Sequence, residues 1–146
     1  MAALTHQLRR FPAALKALRL RRGVQQKAFA IDLGIGAAFL CGIEKGTRAP
    51  LDDGLLEQAG RLLELNTDEQ AQLRSLAHHD RLVHQMELRG ASDDELQLIS
   101  SALTAWHHMS PQQRTDWLAN VRQLADNVVQ VSAMTRRRLT KEAAMG

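Results

Sequence analysis

Apolar side chains recur at steps of three and four along the last third of the chain. Leu96, Ile99, Leu103 and Trp106 form one set, and Trp117, Val121, Leu124, Val128 and Val131 form the next. That period puts each set on one side of a helix. Earlier runs keep the period but are shorter. Pro12 fits a first turn, and Leu15, Leu18 and Arg22 follow along one face until Gly23. Short helices fit residues 25–33, closed by Gly34, and residues 36–45, closed by Gly46. Pro50, Asp52 and Asp53 open a fourth helix, whose inner side carries Leu55, Leu56, Ala59, Leu62 and Leu63. Capping signatures at Thr67–Gln70, Ser92–Glu95 and Ser110–Gln113 open three more, since in each the first side chain accepts from a free amide and the fourth reaches back. Strand signals are missing: no β-branched alternation and no tight hairpin between apolar runs. The pattern predicts an all-α chain of seven helices.

Charge divides the chain. Residues 1–50 hold nine Lys and Arg against Asp32 and Glu44, residues 51–110 hold four against eleven acids, and residues 111–146 hold six against three. A basic head on an acidic middle points to a polyanion partner for the head alone. One cysteine, Cys41, cannot close a disulfide, and no zinc-finger spacing accompanies it. No apolar run nears the roughly 20 residues of a membrane span, and the opening MAALTHQLRR lacks a signal-peptide core. A cytoplasmic protein with no membrane contact is expected.

The strongest signal lies between Gln26 and Ile43. Two helices crossing steeply over a tight turn need a small residue at the contact, glycine at the turn and apolar residues at fixed offsets. Counted from Gln26, the sequence supplies Phe29, Ala30, Leu33, Gly34, Ile35, Leu40 and Ile43 in those places, and Gly34 permits the positive φ of such a turn. On these residues, with the leucine-arginine run before Gly23, Glu44 followed by Gly46, and Pro50, the segment of about 11–65 resembles the lambda-repressor-like, or XRE-type, helix-turn-helix family. The stretch LELNTDEQAQLRSLA is similar to an extra helix that follows this domain in some members.

The resemblance implies a five-helix DNA-binding domain over 11–76 that grips double-stranded DNA, with residues 36–45 in the major groove. Gln25 and Gln26, at the start of the second helix, would meet backbone phosphate. Lys27, Lys45 and Arg48 would add phosphate charge at the flanks, and Arg9 and Arg10 could form an arm along the duplex. Arg19 matches an arginine that pairs with the glutamate at Glu44. The reading positions depart from the family pattern: Gly36, Ala37, Ala38 and Gly42 stand where polar side chains are usual. Alanine and glycine cannot make bidentate contacts to base edges. Reading would then rest on thymine-methyl contact, with Phe39 contributing, and on DNA shape.

Residues 77–132 are expected to form a helical oligomerisation and regulatory region, a hairpin that also drives homodimerisation through Leu96, Ile99, Leu103, Trp106, Trp117, Val121, Leu124 and Val128. Residues 133–146, with Arg136, Arg137 and Arg138, are expected to form a basic, disordered tail. His78, His79, Asp80, His84, His107 and His108 lack a metal-binding spacing and are expected at the surface, with no metal or cofactor. No nucleophile-base pair or phosphate cradle suggests an enzyme. The expected function is a bacterial or phage transcriptional regulator, a repressor acting near the nucleoid. The alternatives are a protein-interaction module (antitoxin or adaptor) with a protein partner, or an effector-sensing regulator.

Overall fold

Eight helices account for the described residues, 2–146, of the computed structural model, and none of these residues lies in a strand. They are α1 (Ala2–Leu8), α2 (Phe11–Arg21), α3 (Gln26–Leu33), α4 (Ala37–Lys45), α5 (Asp53–Leu62), α6 (Thr67–Leu88), α7 (Asp93–His108) and α8 (Pro111–Met145). The chain divides into two compact units, one up to His107 and one from His108 onward. The expected boundary at residues 76–77 falls inside α6, which crosses it without a break.

In the first unit α2 to α6 enclose one core. Phe11, Leu15, Phe29, Leu40, Ile43 and Leu56 lie at 0–1% exposure. Burial of each such side chain contributes about 1.5–3 kcal/mol. A second cluster of Val83, Ala91 and Leu96 takes Leu4 and Leu8 of α1 against it. This explains the eighth helix: α1 is too short to show a period, and its apolar residues find cover far along the chain.

Polar clamps join the two clusters. The Asp80 carboxylate on α6 accepts from the Phe11 amide at 2.9 Å and the Arg10 amide at 3.0 Å. It thereby serves as a cap for α2, whose own N-cap residue supplies no side-chain hydrogen bond. His79 spans from Asp80 Oδ1 to Ser100 Oγ on α7, each at 2.8 Å. A carboxylate only accepts, so His79 Nδ1 carries the proton that faces it. The expectation that these histidines lie at the surface fails for His79, which is 2% exposed because Asp80 and Ser100 both bind it. The cap of α6 also differs from expectation: Asn66, one residue before Thr67, forms the capping box with Glu69.

The second unit is the single helix α8. It opens with a capping box between Ser110 and Gln113, with Pro111 in its first turn. The disordered tail expected from residue 133 is instead helix through Met145. Two local bonds support that last stretch: Arg138 Nε to Glu142 at 3.0 Å and the Thr140 hydroxyl to the Arg136 carbonyl at 2.9 Å. No residue of α8 is buried.

Candidate nucleic-acid interface

The chain bends by 112° between α3 and α4. Gly34 makes the corner: at φ 72° and ψ 27° it closes α3 in the left-handed region, where a side chain would be strained. The Ile35 amide then returns to the Ala30 carbonyl at 3.0 Å. Ala30, 1% exposed, is small enough for the two helices to meet there. Leu33, Leu40 and Ile43 face the core, so the other side of α4 is left to solvent. Gly46, at φ 79°, ends α4.

A buried ion pair braces this corner against α2. Arg19 donates Nε to Glu44 Oε2 and Nη2 to Oε1, both at 2.8 Å, and its Nη1 to the Val24 carbonyl at 2.8 Å. These hydrogen bonds to Glu44 hold the Arg19 guanidinium pKa above its ordinary value, with the Glu44 charge adding to them and burial opposing. Gln26 joins the pair, donating its amide to Glu44 Oε1 at 3.2 Å. This bond turns one of the two N–H donors of its side-chain amide inward.

The outward face carries the remaining expected residues. Gln25, Lys27, Gly36, Ala37, Ala38, Phe39, Lys45 and Arg48 are exposed, and Gly42 is partly covered. Neither α3 nor α4 has a side chain capping its first turn, so amides at both N-termini point outward without a side-chain partner. The cover on Gly42 is Arg48. A Cβ at Gly42 would stand 2.9 Å from Arg48 Cδ and 3.0 Å from its Cγ. The Arg48 guanidinium lies over the Phe39 ring, 4.9 Å from its centroid. The sequence could not give this contact, because it depends on how the turn after α4 folds back.

The segment between α4 and α5 is gripped from the body. Arg9 donates to the Gly46 carbonyl, and Arg81 donates to the Leu51 carbonyl and reaches Asp53 at 3.3 Å. Arg10 donates to the Thr104 hydroxyl. An arm of Arg9 and Arg10 along DNA is therefore not what the structure holds: both side chains are tied to the protein. Arg9, Arg48 and Arg81, with Pro12, Pro50, Asp80 and His84, line a cavity of about 190 Å³.

The residues assigned to dimerisation separate. Leu96 is fully buried in its own chain and Ile99 packs on the same cluster, which removes Leu96 from any surface a second copy could reach. Leu103, Trp106 and Trp117 are partly covered. Val121, Leu124 and Val128 stand 44%, 64% and 56% exposed on α8. No single helix among the described residues is long and apolar enough to cross a membrane.

Compared with known proteins, the chain matches no protein-family model, no curated protein and no solved structure.

Proposed function

We propose that the chain is a DNA-binding transcriptional regulator of the helix-turn-helix kind, a repressor that docks α4 in the major groove of operator DNA. One observation carries this reading: the exposed side of a steep α3–α4 corner bears Lys27, Lys45 and Arg48 beside open helix N-termini. Steep two-helix corners of about 90–120° are the geometry that presents a helix to a groove. Lys27, Lys45 and the free amides there suit phosphate, the main source of affinity. Small Ala37 and Ala38 let the helix approach the bases closely. The exposed Val121, Leu124 and Val128 stripe of α8 supports a homodimer, which would place two heads on half-sites about one helical turn apart.

The test is to capture fragments of the source genome on the full chain. A retained set sharing a short, two-fold symmetric sequence supports the regulator. No retained fragment beyond those held by a non-binding control overturns it.

The cavity beside Arg9, Arg48 and Arg81 favours a second reading, in which a small anionic effector controls the regulator. Thermal unfolding in a panel of small carboxylates and organophosphates tests it, with a saturable rise in Tm expected and no rise for any compound counting against it.

A further inference from the structure

The outward side of α4 lacks polar side chains at Gly36, Ala37, Ala38 and Gly42, and Arg48 occupies the space left at Gly42. Gly42 lies inside α4, where glycine is a poor helix former. The vacancy at its missing Cβ is filled by the aliphatic stem of Arg48. That stem runs across the helix and sets the guanidinium on the face of Phe39, one turn earlier on the same helix. Among the described residues, no hydrogen bond or ion pair engages the Arg48 side chain, which remains exposed. Stacking uses the flat of the guanidinium and leaves its edge donors free.

We infer that Arg48 reads a guanine, as a base-contacting side chain supplied from outside the helix and aimed by Phe39 and Gly42. This rests on the DNA-binding reading and goes beyond it in naming the residue and the base. The physical reason is directional. A planar fork of N–H donors matches the O6 and N7 acceptors of guanine in the major groove, and no other base edge offers two acceptors there in that arrangement. A phosphate-bound arginine needs no such aiming. Here a helical position is given up to glycine and an exposed aromatic is placed under the guanidinium, so that orientation as well as charge is fixed. Lys45 and Lys27, by contrast, have no comparable support and act on phosphate as charges.

The experiment selects duplexes from a randomised pool with the full-length chain. The preferred guanine in the winning duplex is then replaced by 7-deazaguanine, which lacks the N7 acceptor. Wild type is expected to lose roughly tenfold or more in affinity for the altered duplex. Arg48→Ala removes the donor fork and is expected to bind both duplexes alike. Gly42→Ala provides a folded control on aim: alanine suits the helix, and the group it displaces is a flexible stem. It is expected to be at least as resistant to heat as wild type yet to lose the preference for guanine. Phe39→Leu is expected to do the same. Lys27→Ala is expected to weaken binding to every duplex without changing the preference. If wild type selects duplexes but Arg48→Ala still discriminates 7-deazaguanine, or no guanine is selected, the inference is overturned while the regulator stands. If wild type selects no duplex at all, both fall.

Discussion

The Arg19 guanidinium meets the Glu44 carboxylate through two parallel hydrogen bonds of 2.8 Å, with both side chains withdrawn from solvent. The pair links α2 to the end of α4 and so sets the angle at which α4 faces outward. A buried pair of this type contributes little net attraction once desolvation is counted, but breaking it strands a charge. Glu44→Ala is therefore expected to destabilise the protein by about 3–5 kcal/mol. Arg19→Met combined with Glu44→Leu should recover most of that loss. Urea unfolding followed by circular dichroism measures both. A single variant as stable as wild type would contradict the pair's role.

Asp80 is the second fixed point, since its carboxylate holds the Arg10 and Phe11 amides as well as His79. Asp80→Ala leaves two amides and the Nδ1 side of the His79 ring without partners, and a loss of about 3 kcal/mol is expected from caps and buried donors together. Ser100→Ala removes one bond at the far end of the same chain of contacts and should cost about 1 kcal/mol. Equal effects in thermal unfolding would mean that Asp80 does not cap α2.

Much of this was readable from residue order, and what was not has a common cause. Leu33, Leu40 and Ile43 take the buried side because a helical period forces them there, and Gly34 and Gly46 end helices because only glycine tolerates their φ without strain. Contacts across the chain left no periodic trace. Arg10 and Thr104 are 94 residues apart, and Asp80 and Phe11 are 69 apart. The adjacent His78, His79 and Asp80 gave no sign that the middle one would be buried while its neighbour His78 met His107 edge-on, 5.9 Å away. Leu96 fitted the same stripe pattern as Leu124, yet one lies in a core and the other is open to solvent, because periodicity names a face and not what covers it.

Acid should loosen the start of α6 in a defined direction. Arg21 donates to Glu69, and Glu69 also accepts from the Asn66 amide. The Arg21 hydrogen bond first, and the Asn66 amide second, hold the Glu69 carboxyl below its ordinary 4.5. The folded state thus takes up this proton less readily than the unfolded chain. The stabilisation is present above about pH 4.5 and is lost as pH falls from there through the lowered folded value. A carbon-detected titration of Glu69 is expected to give a midpoint below 4.5 that moves up in Arg21→Ala. An unchanged midpoint in that variant would remove Arg21 as the cause.

The exposed and buried members of the C-terminal stripes should respond differently to charge. Leu124→Asp with Val128→Asp is expected to reduce the mass seen in light scattering to that of one chain, while the heat-induced transition of residues 1–107 is retained. Leu96→Asp is expected to unfold the first unit, because a carboxylate would enter the Val83 and Ala91 cluster. Unaltered oligomeric mass in the α8 double variant would exclude this stripe as the contact between copies.

The proposed docking of the basic α3–α4 face on DNA phosphates is tested most directly by the salt dependence of binding. Fluorescence anisotropy with a labelled duplex would compare wild type with a Lys27→Ala, Lys45→Ala variant across a salt series. Wild type is expected to lose affinity steeply as salt rises, and the variant's log–log slope should be shallower by about 1.8, at about 0.9 per phosphate contact removed. A slope identical in the two proteins, or binding that ignores salt, would contradict it.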